Sequence, residues 1–417
     1  MNLSDVEELR RSAVSGLLRS RRFGRRFERQ RGAAVDRRYD RFTRRFGSTP
    51  SYSAGELLSH RSPRLQAALR NHPRPRVLFV GTDEEQDRSG MLQGLEAVAD
   101  VTAFSGPEGK YGITRGDGRV FQTDRRAMTR HLLSVVNQAA DAGSPFDLVI
   151  GQLLAGFVDT GVLHDVQTRV GGIAIIAMDD RHNFRSRRLG CVIGTQPLHD
   201  AVDVVATAAP EAVAWHLNNG VPAIYFPEAS DPSIFHPLAA RGKDIPVSFI
   251  GGNYGARQRF VQTIRSAGIE VAAYGAGWPE GRVSINESAR IFARSQVILG
   301  MGFIGYSENL LGLKLRDFDA PMSGSCYLTT HNPDLEDLFV IGREILTYRD
   351  VSDCVAILRQ LLDNPDRSEA IGRAGRQRAM GQHTWRSRFS DLFAFLRGDP
   401  IADVAKAPTA PRGRIRA

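Results

Sequence analysis

Three short segments of this 417-residue chain combine residue types that can bind or activate a substrate. In LKLRDFDA (313–320), Arg316 and Asp319 stand three apart and so share one face of a helix, with Lys314 at its N-terminal end. A guanidinium matches a diphosphate in a bidentate manner and a carboxylate matches the two hydroxyls of a ribose, so this spacing can hold both parts of a nucleotide. The same spacing also suits a surface helix with an Arg–Asp ion pair. In FIGGNYGAR (249–257), Gly251 and Gly252 let the backbone approach a phosphate ahead of a helix, with Arg257 beside it; a simple tight turn has the same composition. Neither GxGxxG nor GxxxxGK[ST] is present, which disfavours a dinucleotide fingerprint and a P-loop. In MDDRHNF (178–184), Asp180 or His182 can serve as general base toward a hydroxyl, while the acid pair reads equally as a helix cap.

The elements that must position these segments are short apolar strands alternating with amphipathic stretches, the pattern of a parallel α/β architecture. RVLFVG (76–81), VTAF, FDLVIG (146–151), GGIAIIAM (171–178), DVVATA (203–208) and PAIYFP (222–227) are apolar through their middles, as strands covered on both faces should be. The pattern restarts at PVSFIGG (246–252) and continues through IEVAAYG, SQVILGMG, SCYLTT and EILTY. Two doubly wound domains follow, with EASDPSIFHPLAARGKD (228–244) as the connection. Ligands of such sheets bind beyond the carboxyl ends of the strands, and each of the three segments follows or neighbours such an end.

The charge of +9 is concentrated at one end. Residues 1–76 hold 19 arginines, no lysine and seven acids, which leaves the remainder slightly acidic. Within residues 19–46, Phe23, Phe27, Tyr39, Phe42 and Phe46 recur among the arginines at intervals that suit a helix. Such a basic helix can lie on an anionic membrane or a nucleic acid, or can pack its aromatic stripe on the body of the protein. Three scattered cysteines exclude a disulfide framework and a thiolate metal cluster. No apolar run is long enough to span a bilayer, and the opening MNLSDVEELRRSAV lacks a secretory core. The chain is expected to be cytoplasmic, with a peripheral position at the inner face of the membrane as an extension of that expectation.

From about Arg76 to Gly398 the sequence resembles the GT-B glycosyltransferases of the family 4-like type, in particular the CgeB-like group. VSFIGG with Arg257, VAAYGAGW (271–278), the block 313–339 and the block 344–389 follow that group's order and spacing. The resemblance implies two Rossmann-like domains, an acceptor-side domain at 76–240 and a nucleotide-sugar domain at 241–398 with helices that close back on the first, while composition sets apart a basic arm and linker at 1–75 and a tail at 399–417 that is expected to be disordered. The resemblance implies donor binding by Arg257, Gly275, Trp278, Lys314 and Asp319, with core filling as the other reading of Trp278, and Gly251, Gly252 and Arg316 join them from the residue patterns above. By the resemblance Asp319 stands where relatives carry Glu, and Leu311, eight residues earlier, stands where those with an ExxxxxxxE arrangement carry its first Glu. The implied activity is metal-independent transfer of a sugar from a nucleotide-sugar, without a cofactor, to an unidentified glycan, lipid or protein acceptor. No specific nucleic acid partner is expected. A non-catalytic binding or assembly protein of the same fold and a nucleotide-sugar epimerase are the alternatives.

Overall fold

The computed structural model describes residues 21–113, 121–188, 191–238 and 242–399. The first twenty residues of the arm and residues 400–417 of the expected tail lie outside them.

The first domain is built on strands β1 (Arg76–Val80), β2 (Asp100–Ala103), β3 (Leu148–Gly151) and β4 (Ile173–Ala177). A small antiparallel hairpin, β5 (Ser186–Arg188) and β6 (Cys191–Ile193), precedes β7 (Val204–Thr207) and β8 (Ala223–Tyr225). The main sheet runs β2-β1-β3-β4-β7-β8, parallel throughout. Its central strands are buried on both sides, as an all-parallel sheet requires. The second domain has β9 (Ile245–Ile250), β10 (Ala272–Tyr274), β11 (Ser295–Leu299), a hairpin of β12 (Phe303–Ile304) and β13 (Ser307–Leu311), then β14 (Cys326–Thr330) and β15 (Leu346–Tyr348). Here the parallel order is β10-β9-β11-β14-β15. Two doubly wound domains are therefore present, as the apolar runs indicated.

The connections differ from a simple reading of two domains and an appendage. Helices Ala54–Arg61 and Pro63–Asn71, expected within a linker, bury Leu58, Leu65 and Leu69 in the core beneath β1, β3, β4 and β7. The C-terminal helix Trp385–Arg397 crosses back and contributes Trp385, Phe389, Leu392 and Leu396 to that same core. Gly94 makes this possible, because a Cβ there would lie 2.4 Å from the Trp385 side chain.

The arm is a 26-residue helix, Arg21–Phe46, laid across both domains. It packs on β13 of the second domain and on helix Pro210–Leu217 of the first. Tyr39, Phe42 and Phe46 enter a cluster with Phe184, Trp215, Ile304 and Leu310. Asp36 accepts a hydrogen bond from the Ser307 hydroxyl, and Arg38 donates to the His182 carbonyl at 3.2 Å. The aromatic stripe thus faces the protein, and Arg26, Arg29, Arg31, Arg37, Arg41, Arg44 and Arg45 face solvent.

A buried ionic network also spans the domains. Arg181 makes a bidentate pair with Glu211 (2.6 and 2.7 Å) and reaches across to Asp334 at 2.6 Å and to the Leu311 carbonyl at 2.7 Å.

Phe42→Ala is expected to cost about 3–5 kcal/mol by removing a ring packed on Phe46, Phe184 and Trp215. Denaturant unfolding measures it; a loss below about 1 kcal/mol would mean that the helix does not hold the domains together.

Candidate functional site

The carboxyl ends of the two sheets face each other across a cleft of about 490 Å³. Its first-domain wall comes from the loops after β1 (Asp83, Gln86), β3 (Gln152), β4 (Met178, Asp179) and β8 (Glu228). Its second-domain wall comes from Ile250 and Gly252 after β9, from Tyr254 and Arg257, and from Lys314, Arg316 and Asp319. Two contacts bridge the mouth: Glu85 accepts from the Ile285 amide at 3.0 Å, and Arg282 lies 3.8 Å from Asp83.

Helix Arg316–Met322 carries the densest group. Asp317 fixes where it starts, accepting from the Lys314 amide at 2.7 Å and from the Tyr327 hydroxyl at 2.5 Å. With that carboxylate spent on structure, Arg316 and Asp319 turn to the cleft together with Lys314. Lys314 Nζ makes neither a hydrogen bond nor an ion pair among the described residues. Burial holds the Asp319 carboxyl well above the usual carboxylate range, although the Ser230 hydroxyl and then the Arg316 charge oppose it, and its Oδ1 has no hydrogen-bond partner among the described residues.

Arg316 and Arg257 are neighbours on the floor of the cleft. Arg316 lies 4.5 Å over the Phe249 ring and donates through Nη1 to the Ile250 carbonyl. Arg257 stacks 4.1 Å from the Tyr254 ring and donates to the carbonyls of Gly252 (3.0 Å) and Met301 (3.4 Å). Burial and the Arg316 charge push its pKa down to about 10. Nε of Arg257 and both Nε and Nη2 of Arg316 are buried without a hydrogen-bond partner, and no carboxylate ion pair joins either group among the described residues. Gly251 permits this arrangement: a Cβ there would stand 2.8 Å from Arg316 Nη1 and 3.4 Å from Arg257 Nη1.

Gly275 and Trp278 do not line the cleft. Trp278 is core-packed, in edge contact with Phe249, and its indole N–H donates to the Gly251 carbonyl at 2.8 Å. Gly275 has φ +127°, and a Cβ on it would sit 2.5 Å from that same carbonyl oxygen. Both residues shape the Gly251–Gly252 loop from behind, which corrects the expectation that they touch the donor.

The β4 loop needs a second correction. Asp180 is buried away from the cleft, where its carboxylate accepts from the Thr195 hydroxyl and pairs with His216 at 2.8 Å, itself bonded to His199 at 2.9 Å. With both oxygens engaged, it has no position from which to take a substrate proton. Asp179 is the acid of this segment that lines the cleft. His182 stands 3.8 Å from it but outside the lining; burial lowers the imidazole pKa below 6.5, Asp179 opposing, and Nδ1 has no partner.

Sequence reasoning passed over Glu228 by assigning its segment to the interdomain connection. It directly follows β8, so the strand-end rule that singled out residues 178–184 applied to it equally.

A family model described as glycosyl transferase-like matches residues 257–394, about a third of the chain. No curated protein sequence matches it. Among solved structures, a sucrose-phosphate synthase from Thermosynechococcus elongatus is 12% identical with a TM-score of 0.54, over 78% of this chain and 98% of its own. Anabaena HepE, solved in complex with UDP and glucose, is 9% identical with a TM-score of 0.53, over 78% of this chain and 100% of its own. A glycosyltransferase from Rickettsia africae is 8% identical with a TM-score of 0.53, over 78% and 99%. The two facing parallel sheets, the cleft between their carboxyl ends and the returning C-terminal helix are thus the GT-B fold of glycosyltransferases.

Proposed function

We propose that the chain is a glycosyltransferase that draws its sugar from a nucleoside-diphosphate donor held in the second domain. The observation that carries this reading is the pair of buried guanidiniums, Arg257 and Arg316, whose unpartnered N–H groups lie with Lys314 at the cleft. Buried donors without partners cost about 1–3 kcal/mol each, more when charged, unless a ligand satisfies them. A diphosphate offers the charge and the acceptor oxygens that three cations require. Asp319, one helical turn along, then meets the ribose hydroxyls, and its raised affinity for a proton is relieved by accepting their hydrogen bonds. The match of the family model over residues 257–394, which contain this whole group except Gly251 and Gly252, supports the reading.

In the transfer step, the bond from the anomeric carbon to the diphosphate breaks and negative charge grows on the departing phosphate. Fixed cations in a dry site stabilise that charge without reorganising, which is the largest electrostatic contribution available to such a reaction. Arg257, Arg316 and Lys314 supply it without a divalent metal in this reading. The acceptor enters from the first-domain wall. The seven exposed arginines of the N-terminal helix support association with an anionic membrane surface, at about 1 kcal/mol per basic residue near the bilayer.

A non-catalytic binding protein is the second reading, favoured by Leu311. This residue, which by the resemblance stands where some such enzymes carry a glutamate, is a core leucine, 1% exposed. Release of UDP from a UDP-sugar separates the two.

UDP, the nucleotide bound to HepE, is the first ligand to measure. Calorimetry in EDTA should show UDP binding, and Lys314→Ala should weaken it about tenfold or more while changing the melting temperature of the free protein little, because Nζ makes no hydrogen bond or ion pair among the described residues. Asp319→Ala should weaken it to a similar degree through lost ribose hydrogen bonds. Strict dependence on magnesium, or unaltered affinity in both variants, would refute the site.

Replacing Arg37, Arg41, Arg44 and Arg45 by Gln should reduce co-sedimentation with phosphatidylserine vesicles and leave UDP affinity intact. Equal sedimentation would confine the helix to its packing role.

A further inference from the structure

We infer that Glu228 is the general base that takes the proton from the acceptor hydroxyl, an assignment that rests on the glycosyl-transfer reading above. The transfer forms a bond between the acceptor oxygen and the anomeric carbon. The bond from that carbon to the diphosphate breaks, its electron pair leaving on the phosphate oxygen. The acceptor proton passes to a Glu228 carboxylate oxygen and from there to solvent as product leaves.

Position is the first ground for this choice. Glu228 is the third residue beyond β8, where the chain leaves the first domain for the second, and it lines the cleft. It therefore stands on the wall that receives the acceptor, near enough to Lys314 of the donor side to feel its charge. Availability is the second. Glu228 is only 4% exposed, yet among the described residues Oε2 has no hydrogen-bond partner and no cation forms a salt bridge with the carboxyl, Lys314 acting on it only at longer range. Its own amide hydrogen-bonds the carboxyl, which leaves Oε2 as the oxygen free to accept a proton from a hydroxyl.

The other acids of the cleft are committed or wet. Asp179 has a side chain 54% exposed and stands beside His182. Asp83 and Glu85 bridge the mouth. Asp317 holds the start of its helix, and Asp319 belongs to the donor face of that helix. Asp180 is sealed behind Thr195 and His216.

The groups around Glu228 set its proton affinity. Burial raises it, with Asp317 and Asp179 adding to the effect, while Lys314 and the residue's own amide oppose them; the result is a pKa pushed up to about 8. From behind, Tyr225 on β8 and Arg388 on the C-terminal helix also act on it. The sign is that of a raised acid. At neutral pH the group is mostly protonated, and the form able to accept a proton grows as pH rises through about 8. A base with a pKa near the working pH combines availability with driving force.

Release of UDP from UDP-glucose, with water as acceptor, tests the assignment without knowledge of the natural acceptor. In the wild type the rate should climb between pH 6.5 and 9. Glu228→Gln should lower the rate about 100-fold or more and flatten that climb, while UDP affinity stays as in the wild type and the melting temperature is equal or higher. Glu228→Asp should restore part of the rate, and His182→Asn should keep the climb. If Glu228→Gln retains the wild-type rate and pH profile, or if the climb vanishes in His182→Asn instead, the assignment is overturned. It is overturned too if wild-type protein binds UDP but releases none from UDP-glucose at any pH. A wild-type protein that binds no UDP removes the donor reading itself, and this assignment with it.

Discussion

Arg181 stands one residue beyond Asp180 on the β4 loop of the first domain, and its guanidinium is shared between Glu211 of its own domain and Asp334 and the Leu311 carbonyl of the other. All three ionic side chains are essentially removed from water. Such a network adds little net stability, because the desolvation of three charges offsets much of their attraction. Its contribution is geometric. Two domains with separate cores can slide on an apolar contact, but a bidentate pair with further acceptors across the seam has one arrangement in which four of the five guanidinium N–H groups are met. Removing one partner would leave an uncompensated buried charge at a cost of about 3–5 kcal/mol. The same loop carries Asp179 into the cleft and Asp180 out of it, so the latch and the wall of the site share one short stretch of chain.

The floor of the cleft follows the opposite rule. Arg257 and Arg316 are buried side by side, and what surrounds them is soft: the faces of Phe249 and Tyr254 and the carbonyls of Ile250, Gly252 and Met301. Ring faces and carbonyl dipoles lower the cost of desolvating a cation without neutralising it. A carboxylate in their place would neutralise the floor and abolish its attraction for an anion. At Arg181 the protein closes its charges on one another; at Arg257 and Arg316 it leaves them open, and under the proposed donor binding the stability forgone there would become affinity for the diphosphate.

Much of the architecture was legible because strands buried on both faces must be apolar along their whole length. VLFV, LVIG, IAIIA and VVAT are too short for a buried helix and mostly rich in β-branched residues, and each became a central strand. The face of a turn was not legible. Asp179 and Asp180 are indistinguishable by type, and what separates them is the presence of Thr195 and His216, residues 15 and 36 positions away from Asp180. Trp278 was open between pocket and core for the same reason, since its partner Phe249 lies on a different strand. Glu228 was hidden in another way: a connecting segment has no period, so a buried acid within it looks like any loop acid until the walls around it are known.

The N-terminal helix shows how composition and placement divide the work of one sequence. Aromatics at intervals of three and four fix a stripe, and a stripe of that kind will accept either lipid or protein as its apolar partner. Here Tyr39, Phe42 and Phe46 are satisfied by Phe184, Trp215, Ile304 and Leu310, so insertion of those rings into a bilayer would require tearing the two domains from their shared strap. The arginines on the outer face keep their charge in water, and any anionic surface they attract meets them by electrostatics alone. Because Asp36 is bonded to Ser307 in one domain and Arg38 to the His182 carbonyl in the other, that charged face is rigidly oriented with respect to the cleft. A surface drawn to the helix would therefore approach the protein in one orientation, set by the same contacts that hold the domains together.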